Sequence, residues 1–151
     1  MMDDFDRKIL RELQIDASVS VDSLAEKIAL SRNACWRRVK NLEDAGIIRA
    51  RVALVDADAV DLGLTAFVLV RTNEHAADWA EKFRKVVNSM PEVTGAFRMS
   101  GDLDYVLQVR VRDVKAYDAF YQRLTTRLRL SDISASFVME EIKDTTALPL
   151  R

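Results

Sequence analysis

The chain contains 151 residues, of which 49% are hydrophobic and 31% are charged, and its formal net charge is −1. The length fits one ordinary domain or two small ones, and the apolar fraction excludes a disordered chain. No apolar run approaches the roughly 20 residues that a membrane-spanning helix needs, and the acidic start is unlike a secretory signal peptide. A single cysteine cannot form an internal disulfide, so we expect a cytoplasmic protein.

Side chains that catalysis needs are scarce. The only histidine is His75, which leaves no histidine-based cluster for a metal ion or for acid–base chemistry. The sequence pairs no nucleophile with a base and contains no set of metal ligands and no phosphate-binding loop. We therefore predict no cofactor and no enzymatic activity.

The basic residues are unevenly distributed, although the net charge is close to zero. Residues 32–51 contain six basic and two acidic side chains, which gives this segment a net charge of +4. A local basic segment on a nearly neutral protein is a first indication of nucleic-acid binding, because the distribution of charge matters more than its sum.

Residues 3–46 have a helical period of apolar side chains, which predicts three helices. Ser20 and Ser31 are suited to cap the second and third helices, and Gly46 is suited to end the third. Only Ala29 and Leu30 separate the last two helices, a spacing typical of a helix-turn-helix. Residues 47–55 follow as an extended stretch.

Residues 64–151 have the pattern βαββαβ. Apolar alternation predicts strands, and helical stripes end before Pro91 or begin after Asp113. The predicted strands cover 64–71, 93–99, 105–111 and 133–140, and residues 100–104 form a turn. We predict an α+β protein with a DNA-binding domain at 1–55, a linker at 56–63 and a second domain at 64–151.

The third helix has two contrasting faces. Cys35, Val39 and Leu42 share its apolar side, where the cysteine is more simply a core residue than a redox sensor. Arginine can hold guanine and asparagine can hold adenine through two hydrogen bonds each, so the opposite side is suited to reading bases. Its predicted base- or groove-facing residues are Asn33, Arg37 and Lys40.

Other residues of this region are predicted to contact the DNA backbone. Trp36 either covers the edge of the helix packing or touches that backbone. A solvated basic helix face is the alternative interpretation. We favour DNA binding because the short turn, the basic face and the basic segment after the helix coincide. The predicted backbone contacts are Ser31, Arg32, Arg38, Arg49 and Arg51.

Several motifs together resemble the Lrp/AsnC (leucine-responsive/asparagine-responsive, or feast/famine) regulators over nearly the whole chain. They include residues 6–10, 38–43, 46–48, 90–93, 100–105 and 148–150. A narrower likeness, at residues 35–38, 52–54, 137–143 and 145–146, points to the branch that responds to cysteine and controls its detoxification.

The resemblance implies a winged helix-turn-helix followed by a ferredoxin-like βαββαβ domain for effector binding and oligomerisation. It implies a homodimer that assembles to an octamer, binds promoter double-stranded DNA and responds to an amino acid, with cysteine as the first candidate. A ligand-independent architectural DNA-binding protein is the alternative function. An enzyme, or the regulatory subunit of one, is a third alternative, and nothing in the sequence supports it.

The family's effector loop lies between the second and third strands of the second domain. Gly101 would let a ligand approach the backbone, and Asp104 could pair with the ammonium of an amino acid. An ordinary polar turn is the alternative. By position, the predicted effector residues are Met99, Ser100, Gly101, Asp102, Asp104 and Tyr105, together with Ser134 and Ser136 on the last strand.

One face of the predicted sheet lacks a covering helix, because a βαββαβ domain places both helices on the other face. That open face would carry a mixed apolar and polar set, which suits a dimer interface. Its predicted members are Val106, Gln108, Arg110, Ser134, Ser136 and Val138.

Overall fold

The computed structural model describes residues 2–151, which divide into two compact units. Unit 1 contains the residues up to Leu54 together with Ile142–Arg151, and unit 2 is Val55–Glu141. We predicted residues 64–151 as one domain, whereas the last ten residues pack with unit 1. Sequence order alone suggested the predicted boundary, since these residues follow the last strand of unit 2. Within residues 2–151, no helix is long and apolar enough to cross a membrane.

Unit 1 contains three helices: α1 (Asp4–Ile15), α2 (Val21–Ile28) and α3 (Arg32–Asp44). Both predicted serine caps are present, because Ser20 Oγ accepts a hydrogen bond from the Ser23 amide at 3.1 Å and Ser31 Oγ accepts one from the Ala34 amide at 3.2 Å. Each cap satisfies an amide that lacks a partner inside its helix.

The connections around α3 follow the predicted positions. Ala29 closes α2 in the left-handed conformation with φ 56°, and Gly46 follows α3 with φ 71°. The amides of Ile47 and Ile48 then donate to the Leu42 carbonyl at 2.9 and 3.1 Å, which completes the end of the helix. Residues 48–55 form neither helix nor strand.

The three helices enclose a small apolar core. Cys35 is fully buried in it, and burial raises the pKa of its thiol, which keeps the group protonated and weakly reactive. This placement agrees with a core role for the cysteine. The buried members of the cluster are Ile9, Leu10, Leu24, Ala25, Ile28, Cys35, Val39 and Leu42.

Unit 2 has the predicted βαββαβ order. Its elements are β1 (Leu64–Arg71), α4 (Ala77–Asn88), β2 (Val93–Arg98), β3 (Tyr105–Val111), α5 (Val114–Arg127) and β4 (Asp132–Phe137), with a short 3₁₀ turn at Asp58–Val60 before β1. The strand order is β2-β3-β1-β4, and every neighbouring pair is antiparallel. The two edge strands β2 and β4 are shorter than predicted, and only one ladder-like bond, from the Val138 amide to the Thr65 carbonyl at 2.9 Å, extends beyond β4.

Both helices of unit 2 pack on one face of the sheet, and Phe120, Leu124, Val68 and Leu107 are fully buried between these layers. The other face is open. It carries Phe97, which is 55% exposed, with the predicted polar side chains on alternate positions. This arrangement agrees with the predicted assignment of side chains to the two faces.

Replacing Leu124 with alanine should lower the free energy of unfolding by about 2–5 kcal/mol, because it removes buried methyl groups and leaves a cavity. The measurement is urea denaturation of the full chain followed by circular dichroism. Val114 is 58% exposed on the same helix, so Val114→Ala is the control and should change stability by less than about 0.5 kcal/mol. Equal losses in the two variants would contradict the assigned core.

Candidate DNA-binding face and effector loop

The exposed face of α3 carries polar side chains that are available for a partner. Asn33 and Arg37 are exposed, and within residues 2–151 neither side chain makes a hydrogen bond or an ion pair. Lys40 lies on the same face, and its Nζ is 3.1 Å from Asp44 Oδ1, a contact that raises the pKa of the lysine. Three donors of the types that bind base edges and phosphates therefore share one surface.

Arg38 is engaged inside unit 1. Its Nη1 lies 2.8 Å from Asp3 Oδ2 and 2.8 Å from Asp6 Oδ1, and its guanidinium lies 5.4 Å from the centre of the Phe5 ring. Asp3 is also the N-cap of α1, in a reciprocal capping box with Asp6. The Asp6 amide and the Arg38 guanidinium lower the pKa of Asp3. These contacts connect α3 to the start of α1.

The remaining predicted DNA residues are exposed at the edges of this face. Arg32 Nε lies 3.0 Å from Asp22 Oδ1, and Arg51 Nη2 lies 2.9 Å from Glu43 Oε1. Trp36 is 56% exposed, so it does not cover the helix packing completely. Arg49 is exposed in the segment after α3, whereas the Ser31 hydroxyl is already used as the helix cap.

Residues 99–104 form the connection between β2 and β3, so it contains the predicted turn of residues 100–104 and, in addition, Met99, which was predicted to end the strand. The Met99 amide donates to the Asp104 carbonyl at 2.9 Å, which closes the loop at its base. Gly101 has φ 95°, a conformation that other residues rarely adopt, and nothing lies within 4 Å of the position where a Cβ would be. Ser100, Gly101 and Asp102 are exposed, so the tip of the loop is open to a ligand.

Asp104 is tied to the end of β1. One of its oxygens, Oδ2, accepts a hydrogen bond from the Thr72 amide at 2.8 Å, and the Asp104 amide donates to the Val70 carbonyl at 3.0 Å. The Thr72 hydroxyl in turn accepts from the Glu74 amide at 3.1 Å. The Asp104 carboxylate therefore supplies the hydrogen-bond acceptor for the Thr72 amide, whatever its role toward a ligand.

Sequence reasoning missed Arg71 at this site. Its Nε donates to the Asp102 carbonyl at 3.1 Å, its Nη1 lies 2.8 Å from Asp132 Oδ2, and its carbonyl accepts from Ser131 Oγ at 2.9 Å. A charged residue at the end of an apolar strand was the available signal. Arg71 thereby links the loop of residues 99–104 to the start of β4.

The other predicted effector residues lie on different sides of the sheet. The Tyr105 ring packs on the core side, 4.2 Å from the Phe83 ring centre and 5.8 Å from that of Trp79. Ser134 and Ser136 lie on the open face opposite Leu69 and Phe67 of β1. Because β1 separates β4 from β3, these serines lie on a strand that neighbours neither of the strands joined by the loop.

Two family models match the chain, and together they cover both parts of it. The winged helix-turn-helix DNA-binding model matches residues 2–49, and the Lrp/AsnC ligand binding domain matches residues 65–148. The second match contains the loop of residues 99–104 and all of the four-stranded sheet except Leu64, the first residue of β1.

Curated relatives of full length are also similar. The DNA-binding transcriptional activator DecR of Escherichia coli K12 is 49% identical over 151 residues, covering 99% of each chain. The glutamate uptake regulatory protein of Zymomonas mobilis is 48% identical over 149 residues, covering 99% of this chain and 91% of the relative.

Solved structures agree with the fold. An AsnC family transcriptional regulator of Agrobacterium tumefaciens superposes with a TM-score of 0.96 at 50% identity, covering 99% of this chain and 97% of that one. A transcriptional regulator of Neisseria meningitidis in complex with L-methionine superposes with a TM-score of 0.95 at 41% identity, with the same coverage. The chain therefore belongs to the Lrp/AsnC family of transcriptional regulators, with a winged helix-turn-helix DNA-binding domain and a ligand-binding domain.

Proposed function

We propose that this protein binds promoter DNA in the cytoplasm through the exposed face of α3, and that a small amino acid changes this binding. The observation that carries the proposal is the exposed and unpaired state of Asn33 and Arg37 on a helix whose other side is buried. A regulator of this kind needs no catalytic step, so the proposal does not include enzymatic activity.

In the proposed complex, Arg37 and Asn33 contact base edges in the major groove. Arg32, Lys40 and Arg51 contact phosphates, since their exposed ion pairs are worth at most about 1 kcal/mol each and exchange readily for phosphate. Arg49 and Trp36 contact the backbone at the edges of the face. The Ser31 cap contributes the amino end of α3, whose first amides face outward and favour a phosphate.

For Arg38 we propose a positioning role in place of a phosphate contact. Its guanidinium bonds two carboxylates and lies over the Phe5 ring, so its charge is already balanced inside unit 1. The contact fixes α3 relative to α1, and thereby the direction in which Arg37 projects.

For the effector we propose the loop of residues 99–104. The exposed amides at Ser100 and Gly101 are suited to a carboxylate, and Asp102 with the free oxygen of Asp104 is suited to an ammonium. Met99 is 43% exposed beside them and offers apolar contact to a side chain. The neighbour from Neisseria meningitidis holds L-methionine, and the likeness to the cysteine-responsive branch adds cysteine, so both sulfur-containing amino acids are first candidates.

We propose a homodimer built on the open face of the sheet. Phe97 and Phe67 lie there beside polar side chains, the mixed composition that protein interfaces favour. A second copy on this face would also give Ser134 and Ser136 a route to a ligand held between copies. Two recognition helices in such a dimer would bind two half-sites, and the family resemblance implies further assembly to an octamer.

The decisive experiment is a screen of the proteinogenic amino acids by thermal shift, followed by gel-shift titration on DNA from upstream of its own gene. An amino acid present at about 100 times its Kd should stabilise the native state by roughly 2.7 kcal/mol. L-methionine and L-cysteine should give the largest shifts. If no amino acid changes either the melting temperature or the DNA affinity, the ligand-independent architectural function replaces the proposed one.

Replacing Arg37 with alanine should weaken binding to the promoter DNA by about 1–3 kcal/mol and reduce its preference over unrelated DNA, because a base contact is lost. Competition gel shifts with the two DNAs measure this preference. Arg84→Ala is the matched control, because Arg84 is exposed on α4 and its replacement removes one positive charge from unit 2. Unchanged preference in Arg37→Ala would remove this residue from the base-reading set.

Arg38→Ala should leave the salt dependence of DNA binding unchanged, because Arg38 is proposed to make no phosphate contact. Loss of a phosphate contact would lower the slope of DNA affinity against salt concentration, both on logarithmic scales, by about one.

Two substitutions at Asp104 separate charge from hydrogen bonding. Asp104→Asn keeps an acceptor for the Thr72 amide and removes the charge, so it should retain stability and lose the amino-acid response. Asp104→Ala leaves that amide unpaired and should also cost about 1–3 kcal/mol of stability. Thermal melting and ligand titration by calorimetry measure the two effects. Full ligand affinity in Asp104→Asn would exclude the proposed ammonium contact.

A further inference from the structure

The end of the chain lies in a groove of unit 1. The end of α1 and residues 47–54 form the groove, and the terminal segment is one wall of an open cavity of about 840 Å³ that remains there. Alternate residues of the terminal segment line it, namely Thr146, Leu148 and Leu150, which is the period of an extended chain. Leu150 is partly buried against the core of unit 1.

Two side chains of α1 hold the backbone of this segment. Gln14 Nε2 donates to the Leu148 carbonyl at 3.2 Å, and Gln14 Oε1 accepts from the Leu148 amide at 2.6 Å. Arg11 donates from Nε and Nη2 to the Leu150 carbonyl at 3.3 and 2.9 Å. Pro149 favours an extended backbone at Leu148, which suits this pairing. These are contacts to the backbone of an extended peptide, as in strand-like peptide recognition.

Contacts within unit 2 hold the chain as far as Glu141, the last residue of that unit. The Val138 amide donates to the Thr65 carbonyl at 2.9 Å, and Glu141 Oε2 lies 3.2 Å from Arg110 Nη2. Residues from 142 onward belong to unit 1. The terminal segment therefore leaves the sheet directly and joins the DNA-binding unit within a few residues.

Two hydrogen-bonded contacts and the chain itself connect the loop of residues 99–104 to this segment. The loop carbonyl of Asp102 bonds Arg71, and Arg71 bonds Asp132 at the start of β4. β4 leads through residues 138–141 into the groove-bound segment. Such contiguous contacts can carry coupling when one element has two arrangements. The segment is suited to this, because a few exposed hydrogen bonds and one half-buried leucine hold it.

We propose that this groove is the receptor for residues 145–150 and that docking of this segment couples the amino-acid site to the DNA-binding unit. The inference rests on the proposed function. A ligand on the loop shifts β4 through Arg71, which changes how firmly the segment docks. Docking in turn restrains α1 and the basic segment of residues 47–54, next to the recognition helix.

The test uses the full-length double variant Arg11→Ala/Gln14→Ala. DNA affinity is measured with and without L-methionine, or with the amino acid that gives the largest thermal shift if that is another one. The wild type should show a ligand effect of roughly 5- to 150-fold in Kd, the usual range of allosteric coupling, and the double variant should show less than about two-fold. Calorimetry should show that the variant still binds the amino acid, with an affinity that differs from that of the wild type by no more than the coupling factor, because coupling between docking and ligand binding is reciprocal. Lys8→Ala, an exposed cation on the same helix, is the control and should keep the wild-type ligand effect.

Amide hydrogen exchange tests the docking itself. The Leu148 amide should be protected in the wild type and should exchange at least about ten-fold faster in the variant, since its acceptor is gone. Equal exchange, or a full ligand effect in the double variant, would overturn the coupling role. A loss of DNA binding beyond ten-fold without ligand would overturn it as well, because the groove would then support the DNA-binding unit alone. A wild type without any ligand effect would instead refute the proposed function.

Discussion

Burial of one side of α3 is the constraint on which the DNA-binding unit depends. Cys35, Val39 and Leu42 must face the core formed with α1 and α2, since each is almost completely buried. At about 100° per residue, this requirement turns Asn33 and Arg37 outward whatever their own preferences. Burial of the apolar side thus decides which side chains α3 presents to solvent, although these polar side chains themselves add nothing to the apolar core.

Capping residues fix where α2 and α3 begin, and thereby which side chains of α3 face the core. Ser20 and Ser31 set where α2 and α3 begin, and the left-handed Ala29 leaves only three residues between the two helices. Arg38 adds a contact between α3 and the start of α1 that is partly shielded from water, so its two carboxylates act more strongly than an exposed pair would. Orientation of the recognition helix therefore combines apolar packing with one charged network.

In unit 2 the central strand β1 has the corresponding role. It pairs with both β3 and β4, and its last residue, Arg71, bonds to the loop of residues 99–104 and to the start of β4. Polar groups at this end of the sheet satisfy one another's backbone amides and carbonyls, as buried or half-buried polar groups must. A ligand that replaces one of these hydrogen bonds leaves its former partner in need of another, so the neighbouring hydrogen bonds must adjust. The same end of the sheet is thus suited both to bind an effector and to transmit its effect.

Local patterns in the sequence determined the elements, the helix caps, the short turn between α2 and α3 and the two faces of the sheet, because periodicity and capping depend on neighbouring residues. Tertiary structure alone decided that Arg38 bonds Asp3 and Asp6, that Asp104 supports Thr72, that Tyr105 joins an aromatic cluster and that residues 142–151 belong with unit 1. Each of these contacts joins residues more than twenty positions apart in the chain. Such contacts leave no periodic trace, since packing and backbone satisfaction select the partners only after the elements have come together.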